Sequence, residues 1–120
     1  MIKMIYLATP YSHEKKAVRT ARYHQTLKAV SDLSRADPSK FVYSPIIHFH
    51  HLANEYDMPT DALFWWNVNV IAMEKADTMY VLALPGWRAS IGVQAEIKWA
   101  IEHKKPWFLI DPETYMSIST

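Results

Sequence analysis

The amino-acid sequence predicts an α/β fold in which helices cover both faces of a parallel sheet. Segments with strand and helix patterns alternate along the chain, the strand segments are apolar throughout, and no hairpin signal joins two of them. The length of 120 residues is typical of one domain. Because no repeat, linker or low-complexity stretch divides the chain, residues 1–120 are expected to form a single domain.

The first strand and the first helix are predicted from an apolar run and its boundaries. Ile2 to Ala8 is β-branched and apolar and ends at Thr9-Pro10, which is typical of a buried strand. Ser12 is expected to cap the helix that follows. The turn-forming residues Asp37-Pro38-Ser39 are expected to end that helix.

The middle of the chain contains a second strand and a second helix in this prediction. Phe41 to Ile47 is expected to be a strand with an irregular end, because Pro45 interrupts it. A polar connection follows through Asp57-Met58-Pro59. Thr60 is then expected to cap a helix that runs to about Ala76.

The last third of the chain repeats the strand–helix–strand order. Thr78 to Leu84 is predicted to be a strand, and Pro85 to Ala89 a turn. Ser90 is expected to begin a helix that ends near His103. Trp107 to Ile110 is the last predicted strand.

Composition excludes several classes of protein. Thirteen Lys and Arg against twelve Asp and Glu leave less excess positive charge than a dominantly electrostatic nucleic-acid binder carries. No apolar run approaches the roughly 18–20 residues of a membrane span, and the first residues lack a signal-peptide pattern. Since there is no cysteine, no disulfide, thiol nucleophile or Cys-rich zinc site is possible. We therefore expect a soluble cytoplasmic domain that binds neither nucleic acid nor membrane.

The loops that follow the predicted strands are the expected positions of ligand-binding and catalytic residues. In open parallel α/β sheets, ligands bind beyond the carboxyl ends of the strands. Three such loops are Thr9 to His13, Ser44 to His51 and Pro85 to Ser90. The only two glycines, Gly86 and Gly92, lie in or just after the third loop, which suggests that the backbone turns sharply or is approached closely there.

The helix that begins at Ser90 predicts an anion site with a carboxylate nearby. Free N–H groups and the positive end of the helix dipole favour a phosphate at that serine. Glu96 lies at the edge of the buried stripe of the helix and leans back over Gly92, which has no side chain to fill the space. The alternative interpretation is a capping serine, a tightly packed glycine and a solvated glutamate.

Two further features leave alternatives open. Asn69 interrupts an apolar helical stripe, so its amide is expected to bind a ligand, another core group or a subunit interface. The cluster His48-Phe49-His50-His51, with Glu55 and Asp57 nearby, invites a metal interpretation but matches no established ligand spacing. Base stacking or a plain loop is the favoured interpretation, so no metal and no cofactor are predicted.

Three segments together resemble the nucleoside 2-deoxyribosyltransferase-like superfamily. They are Val81 to Glu96 with its Pro-Gly-Trp turn, Ile5-Tyr-Leu-Ala-Thr-Pro-Tyr-Ser-His13, and Tyr43-Ser-Pro45. The Pro-Gly-Trp turn and the Pro-Tyr-Ser-His loop are most similar to a bacterial and phage branch. The resemblance implies a doubly wound, flavodoxin/Rossmann-like sheet of about five parallel strands and a dimeric or larger assembly.

The resemblance also implies a reaction at the N-glycosidic bond of a (deoxy)nucleoside 5′-monophosphate, by hydrolysis or transfer. The residue matching Glu96 attacks the anomeric carbon and forms a glycosyl-enzyme. A serine at the position of Ser90 is similar to that of the monophosphate hydrolases, with charge from Arg88, or from Arg19 or Arg22. The expected substrate-binding residues are Thr9, Pro10, Tyr11, Ser44, Pro45, Gly86, Arg88, Ser90, Gly92 and Ser117, the last from a neighbouring subunit.

Asn69, the second expected catalytic residue, departs from the pattern. Active members carry an aspartate there that assists the leaving base, and an amide cannot supply a proton. Another acid is then needed, and the possibilities are His48, His50, Glu55, Asp57 and Asp61. The alternative hypothesis is a non-catalytic nucleotide sensor that keeps the pocket.

Overall fold

Four strands and four α-helices form the fold in residues 1–59 and 62–119, which are the residues that the computed structural model describes. In chain order these elements are β1 (Lys3–Ala8), α1 (Lys16–Ala36), β2 (Lys40–Tyr43), α2 (Pro45–Tyr56), α3 (Ala62–Lys75), β3 (Thr78–Leu82), α4 (Ile91–Glu102) and β4 (Trp107–Ile110). A short 3-10 turn, Trp87–Ala89, precedes α4.

The strands form one parallel sheet in the order β2-β1-β3-β4. The register pairs Ile5 of β1 with Val42 on one side and Thr78 on the other. The predicted α/β class with a parallel sheet is therefore confirmed. The chain leaves β1 toward β2 on one side, and β3 then pairs on the other side, so the strand order reverses between β1 and β3.

The sheet has four strands in the described residues, so the expectation of about five is wrong. After β4 the chain turns instead of crossing over to form a parallel strand. The carboxylate of Asp111 accepts the N–H groups of Glu113 and Thr114 at 2.8 and 3.0 Å, which closes the turn. Ser117 then forms an isolated antiparallel bridge with Ile110.

Helices pack on both faces of the sheet, as the sequence predicts. Ile5 and Leu7 of β1 pack with Leu33 of α1 on one face. Tyr6 and Ala8, which point the other way, pack with residues of α3 and α4 on the opposite face. None of the helices in residues 1–59 and 62–119 has the length and apolarity to cross a membrane.

The start of α1 differs from the prediction. Lys15, and not Ser12, occupies the N-cap position, and no side chain caps the helix. Ser12 belongs instead to the loop between β1 and α1. The backbone N–H of Lys15 donates to His13 Nδ1 at 3.0 Å, so a histidine of the loop satisfies a donor near the helix start.

The second strand is shorter than predicted and a helix replaces the polar connection. β2 ends at Tyr43, so the predicted strand to Ile47 is wrong. Ser44 caps α2 by accepting the N–H of Ile47 at 3.4 Å, and Pro45 lies at the first helical position. Proline is favoured at that position because its fixed φ suits a helix and the N–H it lacks would be unpaired. The predicted helix cap, Thr60, lies outside the described residues.

The predicted boundaries of the remaining strands and of α4 agree more closely with the structure. β3 ends at Leu82, two residues before the predicted Leu84. Ser90 caps α4 by accepting the N–H of Val93 at 3.2 Å, which confirms the predicted helix start. The last strand has the predicted bounds, Trp107–Ile110.

Candidate functional site

A cavity lies where the strand order reverses between β1 and β3, beyond the carboxyl ends of these strands. This is the position at which open α/β sheets bind ligands. Its lining residues come from the β1–α1 loop and from α2, α3 and α4: Thr9, Tyr11, Ser12, Pro45, Ile46, Phe49, Trp65, Asn69, Ser90 and Glu96. The cavity has a volume of about 40 Å³, which holds only a few water molecules. A larger ligand must extend through the mouth.

Half of the expected site residues meet in this cavity. Thr9, Tyr11, Pro45, Asn69, Ser90 and Glu96 all line it, although they come from four separate parts of the chain. Their functional roles stay predictions, but the structure brings the proposed nucleophile and the proposed phosphate site into one cavity.

The other expected residues do not line the cavity. Ser44 is buried and its hydroxyl caps α2. Arg88 is exposed, with its guanidinium carbon 5.3 Å from the centre of the Trp87 ring. Ser117 is exposed at the bridge to Ile110, at the β4 edge of the sheet. The remaining three, which are also absent from the lining, are Pro10, Gly86 and Gly92.

The backbone conformation and the packing at position 86 explain why a glycine is found there. Its φ of +94° is a conformation that L side chains rarely adopt, and a Cβ there would lie 2.6 Å from Nη2 of Arg22. The guanidinium of Arg22 donates to the carbonyl oxygens of Ser12 at 3.0 Å and Pro85 at 3.4 Å. Arg22 therefore joins the two loops on either side of the strand reversal, and Gly86 leaves room for it.

Glu96 is the central ionisable group of the site. It is buried on α4, and the hydroxyl of Tyr6, a fully buried residue of β1, donates to its Oε2. Burial raises the pKa of Glu96 from 4.5 to about 7, and the hydrogen bond from Tyr6 opposes that rise. Both protonation states are therefore populated near neutral pH. The carboxyl can accept or release a proton, or attack as a carboxylate.

The start of α4 provides donors at the same cavity. Because Ser90 Oγ accepts the N–H of Val93, its own proton can point to a ligand. The N–H groups of Ile91 and Gly92, in the first turn, have no acceptor within the helix. With the helix dipole behind them, these donors favour an anion.

Asn69 presents a side-chain amide to the cavity. It is only 8% exposed, and it lines the cavity from α3. Among residues 1–59 and 62–119, no hydrogen bond to its side-chain amide is found. A buried amide normally has a partner, so this amide is available to a ligand.

An aromatic wall closes one side of the cavity, and of its three rings only Tyr11 is among the expected site residues. Phe49 of α2 stacks on Trp65 of α3, with ring centres 5.1 Å apart, and Tyr11 meets Phe49 edge-on. Ser12 and Ile46 complete the unpredicted lining. The high content of aromatic residues was the available signal, but their meeting depends on α2, a helix that the prediction missed.

The three histidines of the cluster lie in different environments. His48 and His51 are exposed on α2, whereas His50 is buried, with its Nδ1 2.6 Å from the hydroxyl oxygen of Tyr11. In the described part of the chain, no three His, Asp or Glu side chains are grouped so that they could hold a metal ion.

These features define an α/β protein with a buried, partly protonated glutamate and a capped helix start at the strand reversal. The chain matches the family model described as a domain of unknown function, DUF1937, over residues 3–111. It therefore belongs to the DUF1937 family. No curated protein matches the sequence. The resemblance to nucleoside 2-deoxyribosyltransferase-like proteins stays a prediction.

Proposed function

We propose that this protein hydrolyses the N-glycosidic bond of a (deoxy)nucleoside 5′-monophosphate, with Glu96 as the nucleophile. The observation that carries the proposal is the shared cavity: a buried carboxyl and a helix start with free donors line the same small space. A sugar phosphate has an electrophilic anomeric carbon at one end and a dianion at the other, so it requires both features.

The reaction proceeds in two balanced steps. The Glu96 carboxylate attacks the anomeric carbon, the bond to the base nitrogen breaks, and its electron pair leaves with the base. Water then attacks the anomeric carbon of the glycosyl-enzyme: its hydroxyl stays on the sugar phosphate, its proton neutralises the departed base, and the Glu96 carboxylate is restored. A second base in place of water gives transfer. Tyr6 holds one oxygen of Glu96 by its hydrogen bond, which orients the other oxygen for attack.

The remaining cavity groups bind the ends of the substrate. Ser90 and the first N–H groups of α4 bind the 5′-phosphate. The base lies against the aromatic wall of Tyr11, Phe49 and Trp65, since flat rings stack on flat rings. The cavity volume of about 40 Å³ is smaller than a nucleotide, so parts of the bound substrate project from the cavity into solvent.

The test is a base-release screen. The protein is incubated with each common ribo- and deoxyribonucleoside 5′-monophosphate and with the matching nucleosides, and free base is detected by mass spectrometry. We expect release from at least one monophosphate and its loss in Glu96→Gln. Glu102→Gln, an exposed glutamate of the same helix, is the matched control. Binding of a monophosphate without any release would refute the enzymatic proposal.

That outcome would favour the second candidate, a nucleotide sensor. The specific observation in its favour is the amide at Asn69, which cannot donate a proton to the leaving base. A sensor predicts thermal stabilisation by a nucleotide with no turnover. Equal stabilisation of Asn69→Leu would count against a binding role for the amide.

We also propose that the protein acts in the cytoplasm as a homo-oligomer, through α3. Leu63, Val68 and Ile71 of this helix are 82%, 46% and 61% exposed, an apolar face that a monomer leaves in water. A second copy of the same face covers it by two-fold symmetry, the commonest arrangement. Sedimentation should show a dimer for the native chain and a monomer for Val68→Glu. A native monomer at high concentration would refute this assembly.

A further inference from the structure

Asn69 cannot supply the acid that assists the departing base. Most of the other candidate acids are exposed and do not line the cavity. His48 and Asp57 are exposed, and Asp61 lies outside the described residues. Glu55 is exposed and lies 3.5 Å from Nδ1 of His51. Only His50 is buried, and it meets the cavity through Tyr11.

Tyr11 carries a hydroxyl group held in place at the aromatic wall. The residue is 4% exposed, and it lines the same cavity as Glu96 and Asn69. Its oxygen lies 2.6 Å from His50 Nδ1. Its ring packs edge-on against those of Phe49 and His50. These contacts leave the side chain little freedom to rotate.

Asn54 also contacts this network. Its Nδ2 donates to the backbone carbonyl of His50 at 3.0 Å and lies 3.1 Å from both ring nitrogens of that histidine. Because these two distances are equal, the amide packs against the imidazole without selecting one nitrogen as its acceptor.

His50 has two neutral tautomers, and the one that carries its proton on Nδ1 donates to Tyr11. Burial lowers the pKa of His50, and the neighbouring side chains of His51, His24, Arg19 and Lys16 lower it further, which favours the neutral ring. In the Nδ1–H tautomer Tyr11 accepts from His50, and its own proton can point into the cavity.

We propose that Tyr11 is the general acid that protonates the departing base, and that His50, as its Nδ1–H tautomer, and Asn54 position it. The inference rests on the proposed N-glycosidase function. As the bond from the anomeric carbon breaks, the base nitrogen takes the proton of the Tyr11 hydroxyl, and His50 Nδ1–H donates to the phenolate. The water that hydrolyses the glycosyl-enzyme returns one proton to Tyr11, gives its hydroxyl to the sugar and restores the Glu96 carboxylate.

Arg19 further stabilises the phenolate. Its Nε is buried without a hydrogen-bond partner in the described residues, so a donor remains unused beside the loop. Burial raises the pKa of Tyr11, whereas Asn54 and the charge of Arg19 act in the opposite direction. The pKa of Tyr11 is raised on balance, which keeps its hydroxyl protonated before the reaction, and Asn54 and Arg19 limit that rise.

The test compares two leaving groups. The substrates are the nucleoside 5′-monophosphate found by the base-release screen and 4-nitrophenyl 2-deoxyriboside 5-phosphate, whose nitrophenolate leaves without protonation. We expect Tyr11→Phe to lower kcat for the nucleotide by about 10²–10⁴ and to leave kcat for the nitrophenyl substrate nearly unchanged. Tyr23→Phe, which loses a hydroxyl contact to the exposed His51 and keeps its ring on His50, is the matched control.

Variants of His50 give a second test that leaves the ring of Tyr11 in place. His50→Leu removes the donor to Tyr11 and should lower kcat for the nucleotide without changing KM. His50→Asn keeps an amide N–H near the position of Nδ1 and should recover part of the loss. Adding Asn69→Asp to Tyr11→Phe restores an acid to the cavity and should raise kcat for the nucleotide.

The outcomes separate this inference from the function on which it rests. Equal loss on both substrates in Tyr11→Phe would show that Tyr11 only shapes the cavity, and would overturn the inference. A native protein that cleaves the nitrophenyl substrate but no nucleotide would also overturn it, while Glu96 remains the nucleophile. A native protein that cleaves neither substrate refutes the proposed function, and the acid role with it.

Discussion

Replacing Glu96 by Gln should make the protein more stable at alkaline pH while it abolishes turnover. The pKa of Glu96 is about 7 in the folded protein, against 4.5 for the ordinary carboxyl, because the group is buried. Between these pH values the folded protein keeps a proton that the unfolded chain releases. The free energy of unfolding therefore falls as the pH rises from about 4.5 to about 7.

The magnitude follows from the two pKa values. At about 1.4 kcal/mol per pH unit, the difference between 4.5 and about 7 corresponds to about 3 kcal/mol lost once the carboxyl ionises. Glutamine is neutral at every pH, has nearly the same shape, and its carbonyl oxygen still accepts the hydrogen bond of Tyr6. The variant should therefore gain about 2–3 kcal/mol over the native protein between pH 5 and pH 8.

Urea unfolding at pH 5 and pH 8, followed by the fluorescence of the five tryptophans, measures this difference. Glu102→Gln is the control, since Glu102 is exposed on the same helix and its carboxylate lies 3.9 Å from Lys98 Nζ. It should leave the pH dependence unchanged. If native protein and Glu96→Gln lose stability in parallel between these pH values, the carboxyl ionises freely in the folded protein and the reasoning about its burial is wrong.

Three further predictions concern the other parts of the site. Ser90→Ala removes the cap of α4, so it should lower the free energy of unfolding by about 1 kcal/mol, and calorimetry should show weaker binding of a nucleoside 5′-monophosphate. Ser90→Asp keeps the cap and repels the phosphate, so its stability should recover while monophosphate binding stays weak; unchanged binding would rule out a phosphate at this helix start. Gly86→Ala should destabilise by about 1–3 kcal/mol in thermal unfolding, because alanine is strained at φ +94° and its Cβ meets Arg22; full stability would show that the turn can relax. Asn69→Asp adds a second acid beside Tyr11 and should raise the rate of base release, and an unchanged or lower rate would show that a carboxyl at this position does not protonate the base.

Some features of the site were predictable from local patterns. Ser90 was identified as a helix cap because a polar residue preceded an apolar periodic run. Glu96 follows it by six residues, so helix geometry placed it near the same end of the sheet. Both side chains line the cavity. The prediction missed α2, because the polar His-rich segment and Pro45 looked like an interruption, although Ser44 and Pro45 are a favourable helix start.

By itself the sequence determined the parallel α/β class, the order of most elements and the end of the sheet at which polar groups collect. These follow from apolar periodicity and turn chemistry, which act between residues close together in the chain. Only the tertiary structure decided that Tyr6 donates to Glu96 from 90 residues away, that α2 and α3 build an aromatic wall, and that His50 holds Tyr11. The pKa of Glu96 belongs to this second group, since it depends on how much water the packed elements exclude, a quantity that no local pattern contains.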